Sequence, residues 1–389
     1  MRILFWLALA VIFYAYCGYP LILLVQKKLA AKPVGKRTPE NPPLVSIIVV
    51  GRNEGKNIES RLQNLCQQDY PPNKLEILFL SDGSSDRTVA IAQVARARYA
   101  DTISRCLIIE SSPAQGKLAG LNRLVSEARG EIVVFTDCRQ RFKPQVVAEL
   151  VANFSDKAVG AVSGELFFAN ATDGAQAEMG LYWRYEKAIR KLESISGSVI
   201  GVTGAVYALR RELFRPHLPA TILDDVVTPL LAMRQGYRVI FDERAIAWDK
   251  MSENIDQEWG RKLRTLTGNW QILSQYPFVF IHFRAQLFFR FFSHKISRLF
   301  VPFALIGLFV ASLFLDGCFF RLALAGQILG YALTIAALVR PAWQKFRLMR
   351  LAAFFCLLNA AAFASFFVWM NGGSGTVWKT PSTRHEQQP

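Results

Sequence analysis

Cysteine is scarce in this chain, and the few cysteines are scattered. Six occur among 389 residues, and their positions follow no spacing that would suit a metal site. The sequence therefore indicates neither a disulfide framework nor a zinc site of the cysteine type. Internal repeats and low-complexity segments are also missing, which excludes a repeat architecture.

Charge is missing from four long apolar runs, at residues 3–25, 299–315, 322–339 and 351–370. Each run is long enough, as a helix, to cross the roughly 30 Å hydrocarbon layer of a membrane. The first run could instead be a cleaved signal peptide, but it is longer than such segments and no small-residue cleavage site follows it. The other three could be buried core helices, yet they are apolar on all sides rather than amphipathic. We expect four membrane spans, the first of them a signal anchor.

Acidic residues are outnumbered: 46 lysines and arginines face 30 acids, for a net charge of +16. Much of this excess lies beside the apolar runs, and no nucleic-acid motif accompanies it, so anionic lipid explains it better than nucleic acid. Cytoplasmic flanks of membrane spans are typically basic. The basic flanks contain Lys27, Lys28, Lys32, Lys36 and Arg37 after the first run, and Arg340, Lys345, Arg347 and Arg350 between the last two. We expect a multi-pass protein of the cell (inner) membrane whose soluble domain is cytoplasmic.

The region between the first and second runs alternates apolar strands with amphipathic helices. Strands are predicted at 44–50, 75–80, 107–109, 132–135 and 158–162, with a helix after each of the first three. This order is typical of an α/β fold with a doubly wound, mostly parallel sheet. In such a sheet the loops that follow the strands meet at one rim, where ligands bind.

Polar residues occupy those loops: Asn53, Glu54, Asp82, Gly116, Lys117 and Asp137. Each has a plainer interpretation when taken alone, because Asp82 or Asp86 could cap a helix and Gly116-Lys117 could be an ordinary turn with a solvated lysine. Only their order and spacing together suggest a site.

Four segments carry a resemblance by their order and spacing: Val45 to Glu54, Asp82 to Thr88, Gly116-Lys117 with Leu121-Asn122, and the strand ending at Asp137. Together they resemble the family 2 glycosyltransferases, which have a GT-A fold. Members with a similar membrane arrangement are the hyaluronan, chitin-oligosaccharide and poly-N-acetylglucosamine synthases. The resemblance extends to about Trp378. It divides the chain into a signal anchor (1–26), a basic linker (27–43), a cytoplasmic GT-A domain (44–272), interface helices (273–298), three transmembrane helices (299–371) and a tail (372–389).

The resemblance implies a nucleotide-sugar donor site. It assigns the loop of Asn53 and Glu54, together with Asp82, to the uridine and ribose of the donor, and Lys117 to donor binding. These residue types suit those roles, because carboxylates accept hydrogen bonds from base N–H and ribose hydroxyl groups, and an ammonium group pairs with phosphate.

At Asp137-Cys138-Arg139 the sequence departs from the family's Asp-x-Asp motif, whose acids hold a divalent cation. Asp137 with the diphosphate could still hold Mg²⁺ or Mn²⁺, since such ions keep several waters and need few protein ligands, and this is what we expect. Alternatively, Arg139 binds the diphosphate directly, or it only neutralises Asp137.

For the acceptor side, the resemblance makes Asp225 the general base and places Asp224 where the family has Glu. One of these two acids could merely cap the helix that follows them, but capping does not easily explain both. The glycine-rich segment around Thr203 and Gly204 borders the sugar and acceptor in the family, although such a segment is usually just a turn.

Processive members of the family carry a Gln-x-x-Arg-Trp motif, and the match here is partial. Arg261 and Arg264 are present, Thr265 stands in place of the Trp, and Trp270 comes later. This stretch could equally be a basic amphipathic helix on the membrane surface. Residues 284–298 alternate apolar and basic faces, which indicates an interface helix, and 375–380 resemble the family's usual ending.

The resemblance implies inverting transfer of a sugar from a nucleotide donor, UDP-linked, to a polysaccharide or lipid-linked acceptor, as in cell-envelope or exopolysaccharide synthesis. Polymer export and a single transfer to a lipid carrier both remain open. A non-catalytic subunit that binds nucleotide sugar and scaffolds a partner synthase is the alternative. A transporter is disfavoured because the spans carry almost no charge in their interiors.

Overall fold

The computed structural model divides the chain into two compact units, which we call the sheet unit and the helical unit. Within the described residues, the sheet unit comprises 31–99, 102–169 and 193–250, and the helical unit comprises 1–30, 174–192, 255–276 and 285–373. The structure describes residues 1–99, 102–169, 174–250, 255–276 and 285–373. The predicted tail beyond 373, including the family-like ending at 375–380, and part of the predicted interface helices lie outside these residues. Strands and helices are numbered along the chain.

The first half of the sheet unit is a parallel sheet of β1 (Val45–Gly51), β2 (Leu75–Asp82), β3 (Arg105–Ser111) and β4 (Ile132–Thr136), in the order β3-β2-β1-β4. Every residue of β2 and β4 is buried, as is all of β1 except its last residue. Unbroken apolar runs suit this environment because helices cover both faces of a parallel sheet. The predicted parallel α/β sheet is therefore confirmed for this half.

The second half contains β5 (Arg141–Phe142), β6 (Val159–Ala169), β7 (Tyr207–Arg210) and β8 (Arg238–Lys250), and it continues the sheet as β7-β6-β8-β5. β7 runs antiparallel to β4 and β6, whereas β6 and β8 are parallel. The described residues thus form one mixed, mostly parallel sheet of eight strands. The sequence predicted the start of β6 but not β8.

Helices of the sheet unit follow the strands, as expected for right-handed crossovers. They are α3 (Ile58–Cys66), α4 (Thr88–Tyr99), α5 (Lys117–Glu127), α6 (Val146–Ala152) and α8 (Asp224–Arg234). In α3 the apolar residues recur at helical spacing, so that Ile58, Leu62 and Leu65 join a core built on β1 and β2. This core holds the ends of the parallel strands in fixed positions.

The helical unit contains the apolar segments. α1 (Arg2–Phe13) and α2 (Tyr19–Leu29) are joined by a π-helical turn, and α10 (Ala285–Phe291) continues through another into α11 (Ser297–Leu313). α12 (Cys318–Val339) and α13 (Arg347–Met370) follow. Among the described residues, four helical segments are long and apolar enough to cross a membrane: Arg2–Leu29, Phe288–Leu313, Cys318–Val339 and Arg347–Met370. They overlap the four predicted spans.

Two further helices of the chain, α7 (Gly174–Ser196) and α9 (Ile255–Gln275), lie largely in the helical unit. The carboxylate of Glu186 on α7 accepts hydrogen bonds from Arg298 and from the His294 ring, whose Nε2 lies 3.1 Å away. The polar face of 288–298 is thus buried within this unit, with Arg290 fully enclosed. Within the described residues, the predicted interface helix continues into the span that follows as one helical segment, Phe288–Leu313.

Candidate active site

The ends of three parallel strands place their loops along one rim of the sheet unit. In the pairing register Gly51 lies opposite Ser81, and Val49 lies opposite Thr136. β1, β2 and β4 therefore stop at nearly the same level. The rim predicted from the sequence is present.

The loop after β1 is locked to the loop after β2. Asn53 has a left-handed backbone with φ of 54°, a conformation that asparagine tolerates better than most residues. Its Oδ1 accepts a hydrogen bond from the Ser85 amide at 2.8 Å, and its own amide donates to Ser84 Oγ at 3.0 Å. The Glu54 amide donates to Thr88 Oγ1 at 2.8 Å. The two loops therefore form one rigid part of the rim.

Asp82, at the end of β2, is buried and holds the loop that precedes α5. Its two carboxylate oxygens accept hydrogen bonds from the amides of Gln115 at 2.7 Å and Gly116 at 2.9 Å. Asp82 does not cap α4, because that position belongs to Asp86, which accepts a hydrogen bond from the Thr88 amide at 3.0 Å. Asp82 thus fixes the start of α5, where Lys117 lies.

Lys117, the first residue of α5, lies between two acids. Its Nζ is 2.9 Å from Asp137 Oδ1 and 3.7 Å from Asp224 Oδ2. Burial by itself would lower the pKa of Lys117, but the two carboxylates outweigh it and raise that pKa. Burial acts in the opposite sense on Asp137, and Lys117 again outweighs it, so the pKa of Asp137 lies below its usual value. Both groups are held in their charged forms.

Arg139 does not contact Asp137. Its side chain is 58% exposed and lies 3.9 Å from Asp249 Oδ2, on β8. Asp249 also accepts a 2.7 Å hydrogen bond from Gln140 Nε2. The hypothesis that Arg139 only neutralises Asp137 is therefore not supported, since Lys117 occupies that position.

The two acids at the start of α8 lie in its first turn, and the residue before them is Leu223, which has no capping side chain. A Cβ added to Gly204 would lie 3.6 Å from Asp225 Oδ2. Gly204 thus lies next to the side chain of Asp225. Thr203 instead turns towards β6, because its amide donates to Ser163 Oγ at 2.9 Å.

Arg61 on α3 supports the rim, although it was not among the predicted site residues. It is fully buried and donates from Nη2 to Thr136 Oγ1 at 2.5 Å, at the end of β4. Burial lowers the pKa of Arg61 to about 9. An arginine at helical spacing among Ile58, Leu62 and Leu65 was the available signal, because a charged residue on an apolar face needs a partner.

His217 is the second supporting residue that the sequence did not indicate. Its backbone amide donates to Asn122 Oδ1 on α5 at 3.0 Å, and its ring Nε2 lies 3.2 Å from Thr228 Oγ1 on α8. Burial lowers the pKa of His217. This residue therefore connects the helix that starts with Lys117 to the helix that starts with Asp224.

Arg261, Arg264 and Trp270 belong to α9, in the helical unit. Trp270 is buried there, and its ring stacks on that of Trp369 with centroids 5.7 Å apart. Thr265, at the position of the family's Trp, donates its hydroxyl to the Arg261 carbonyl at 2.9 Å. The predicted acceptor role of these residues stays a prediction.

The residues around Asp137 do not fit the expected divalent ion. Asp137 already contacts the Lys117 ammonium, and Cys138 turns into the core, where burial raises the pKa of its thiol. Among the residues that the structure describes, no group of three His, Cys, Asp or Glu side chains could hold a metal. An ion at this point would have to displace a protein cation, so no chemical step is assigned to one below.

Comparison with protein families supports the resemblance. Residues 46–218 match the model described as "Glycosyl transferase family 2". The chain is 25% identical over 255 residues to the probable glycosyltransferase YdaM of Bacillus subtilis, covering 63% of this chain and 58% of that protein. It is 32% identical over 144 residues to a beta-monoglucosyldiacylglycerol synthase of Trichormus variabilis, covering 36% of this chain and 30% of that one.

A third relative is the poly-beta-1,6-N-acetyl-D-glucosamine synthase of Staphylococcus aureus, which is 22% identical over 246 residues, covering 59% of this chain and 55% of that protein. The matches to these three relatives thus span between 30% and 58% of their lengths.

Among solved structures, the mannosyltransferase PcManGT of Pyrobaculum calidifontis, in complex with GDP-Man and Mn²⁺, has a similar fold. The TM-score is 0.71 at 23% identity, and the match covers 94% of this chain and 99% of that one. This likeness confirms the predicted GT-A fold.

Proposed function

Since residues 46–218 form a family 2 glycosyltransferase domain, we propose that the chain transfers a sugar from a nucleoside-diphosphate donor to a glycan or lipid-linked acceptor, with inversion. The observation that carries this proposal is the meeting of Lys117, Asp137 and Asp224 at the rim, with Asp225 beside Asp224. A phosphate-binding cation and a basic carboxylate thereby lie next to each other, which sugar transfer requires.

The donor side of the site is the loop pair around Asn53 and Glu54, with Asp82 and Lys117. Burial raises the pKa of Glu54, and its side chain accepts a 2.7 Å hydrogen bond from Asn57. In this proposal the polar groups of these loops accept hydrogen bonds from the base and ribose of a UDP-linked donor, and Lys117 binds its diphosphate. Arg139 is the second donor-side cation.

The acceptor side is centred on Asp225. The hydroxyl group that attacks the anomeric carbon loses its proton as the new bond forms, and a positioned carboxylate accelerates such a step by about 10²–10⁴-fold. Asp224 lies towards Lys117, whereas Asp225 lies beside Gly204. We therefore assign the general base to Asp225 and a positioning role to Asp224, with Thr203 and Gly204 bordering the acceptor. A separate acceptor role is proposed for Arg261, Arg264 and Trp270 on α9.

The four apolar helical segments support a membrane-bound enzyme. We place it in the inner membrane with the sheet unit in the cytoplasm, since basic residues flank the segments at 27–37 and 340–350. The domain boundaries predicted at 26, 43, 272, 298 and 371 belong to this proposal.

A lipid-linked acceptor and a growing polysaccharide are both compatible with this arrangement. The relatives include a synthase named for a glycolipid and one named for a polysaccharide, so the acceptor class is decided by the product. The Mn²⁺ in the P. calidifontis structure belongs to that protein.

The experiment is a screen of nucleotide sugars against the full chain in detergent or nanodiscs, with release of the nucleoside diphosphate as the readout. Release from one donor, with radiolabel appearing in a lipid-soluble or polymeric product, is the expected result. A single lipid-soluble product indicates one transfer to a lipid, whereas a ladder of sizes indicates a processive enzyme. Tight binding of a nucleotide sugar without release would favour the non-catalytic scaffold instead.

A further inference from the structure

We infer that this chain holds the diphosphate of its donor with its own side-chain cations, Lys117 and Arg139, and that sugar transfer needs no divalent metal ion. This inference rests on the proposed function. It concerns the chemical class of the group that neutralises the leaving diphosphate, which the sequence resemblance assigns to Mg²⁺ or Mn²⁺.

The first observation is the charge around Asp137. Lys117 contacts it at 2.9 Å, and Arg139 and the buried Arg61 lie close enough to lower its pKa as well. Asp137 thus lies among three cations, with Asp224 on the far side of Lys117 and Glu54 close enough for Asp137 to raise its pKa. A divalent ion at this carboxylate would meet the repulsion of all three, which is least screened where the groups are buried.

The second observation is that the neighbouring carboxylates are already engaged. Asp224 lies 3.7 Å from Lys117, and Asp249 accepts from Gln140 and lies 3.9 Å from Arg139. Mg²⁺ and Mn²⁺ select oxygen ligands, and residue 139, where the family supplies the second acid, is an arginine. The residues that would build a metal site instead orient protein cations.

The third observation is the state of Arg139. More than half of its side chain is exposed, and its contact with Asp249 is long for an ion pair. The adjacent Gln140 fixes Asp249 with a 2.7 Å hydrogen bond. Asp249 can therefore hold the guanidinium at the rim without enclosing it, and a planar guanidinium matches two phosphate oxygens at once.

Charge balances in the resulting reaction. The bond between the anomeric carbon and the diphosphate oxygen breaks, and its electron pair leaves with the nucleoside diphosphate, which gains one negative charge. The acceptor oxygen forms the new bond to that carbon, and its proton passes to Asp225. Lys117 and Arg139 stabilise the charge that develops on the diphosphate, as preorganised cations do in other phosphoryl sites.

The test uses the full chain in detergent, purified through EDTA and a chelating resin. Calorimetric titrations with UDP and with GDP are run in EDTA and in MnCl₂, and the spin resonance signal of free Mn²⁺ is followed in a mixture of protein and nucleotide. We expect one of the nucleotides to bind equally in both buffers. The signal of free Mn²⁺ should not fall when protein is added to the mixture of Mn²⁺ and nucleotide, and sugar transfer should continue in EDTA.

Two variants make the test specific. Arg139→Gln should weaken nucleotide binding by about ten- to one-hundred-fold, as expected for a lost charge-assisted hydrogen bond, and MnCl₂ should not restore it. Arg98→Gln is the matched control. Arg98 is 57% exposed and is paired with an acid, Glu59, as Arg139 is with Asp249, but it lies on α4 and is not one of the proposed site residues. The control should bind as the wild type does.

Nucleotide binding that appears only with Mn²⁺, loss of transfer in EDTA, or an Arg139→Gln variant that binds as tightly as the wild type would each overturn the inference. Metal-dependent transfer would leave the proposed glycosyltransferase function intact. Failure of both UDP and GDP to bind in either buffer, with no donor releasing its nucleotide, would overturn the proposed function and this inference with it.

Discussion

Replacing Lys117 with methionine removes the cation that two acids of the rim share. The side chains of Lys117, Asp137 and Asp224 are 23%, 34% and 14% exposed, so these charges are partly screened by water. Removing one partner of a fully buried pair costs about 3–5 kcal/mol, and an exposed pair is worth less than about 1 kcal/mol. For this intermediate case we expect Lys117→Met to lower the free energy of unfolding by about 2 kcal/mol.

That loss corresponds to a fall in melting temperature of about 4–8 °C for a domain of 150–250 residues. Intrinsic fluorescence during heating of the full chain in detergent measures it. Lys157→Met, at an exposed position before β6, is the control and should melt as the wild type does. Nucleoside-diphosphate affinity should fall in parallel, by about ten- to one-hundred-fold.

The pH dependence separates an electrostatic loss from a packing loss. In the wild type Lys117 offsets burial and holds the pKa of Asp137 below its usual value, so this carboxylate contributes stability above its unfolded pKa. That contribution is lost as the pH falls through its native pKa. The difference between wild type and Lys117→Met should therefore be largest at neutral pH and shrink in acid. An unchanged melting temperature, or a difference independent of pH, would refute this account of the pair.

Three further outcomes follow from the geometry. Gly204→Ala should melt as the wild type does, because its methyl would lie at an ordinary contact distance of 3.5 Å from Asp225 Cβ and 3.6 Å from Oδ2. It should lose transfer, because the methyl occupies space beside the proposed base; transfer at the wild-type rate would contradict an acceptor beside Gly204. His217→Ala and Thr228→Val should each destabilise the chain by about 1–2 kcal/mol and combine with less than additive effect, since they break one hydrogen bond; additive melting data would show that the two are not coupled. Hydrogen bonds from Thr88 outweigh the effect of burial and lower the pKa of Asp86, so this carboxylate loses its stabilising contribution as the pH falls below about 4. The melting temperature of Asp86→Asn should therefore fall less steeply below that pH than the melting temperature of the wild type; an equally steep fall would contradict this.

Much of the parallel half of the sheet could be predicted from the sequence. β4 is apolar from Ile132 to Phe135 and β1 is apolar from Ile47 to Val50, and the polar residues that follow mark where the chain leaves the core. β8 was missed because Asp242, Glu243 and Arg244 interrupt its pattern, so that it does not resemble a buried strand. The antiparallel insertion of β7 between β4 and β6 depends on long-range pairing, which no local pattern reports.

The residues of the candidate site were named from the sequence, but the contacts between them were not. Lys117 and Asp137 were expected at the rim and Asp224 on the acceptor side, yet nothing local indicates that one lysine contacts both acids. The partner of Arg139 could not be predicted, because Asp249 lies on the strand that was missed. Arg61 was overlooked since an arginine on a helix usually faces water, whereas here it is buried beneath Thr136.

We propose that Asp225 acts as the base in sugar transfer, at a site that binds the donor independently of it. The most direct measurement compares Asp225→Asn with the wild type in two assays on the same full-length preparation: release of nucleoside diphosphate with acceptor present, and calorimetric binding of that nucleotide. We predict that transfer falls by about 10²-fold or more while nucleotide affinity changes less than about threefold. Transfer at the wild-type rate, or a parallel loss of nucleotide binding, would contradict the assignment.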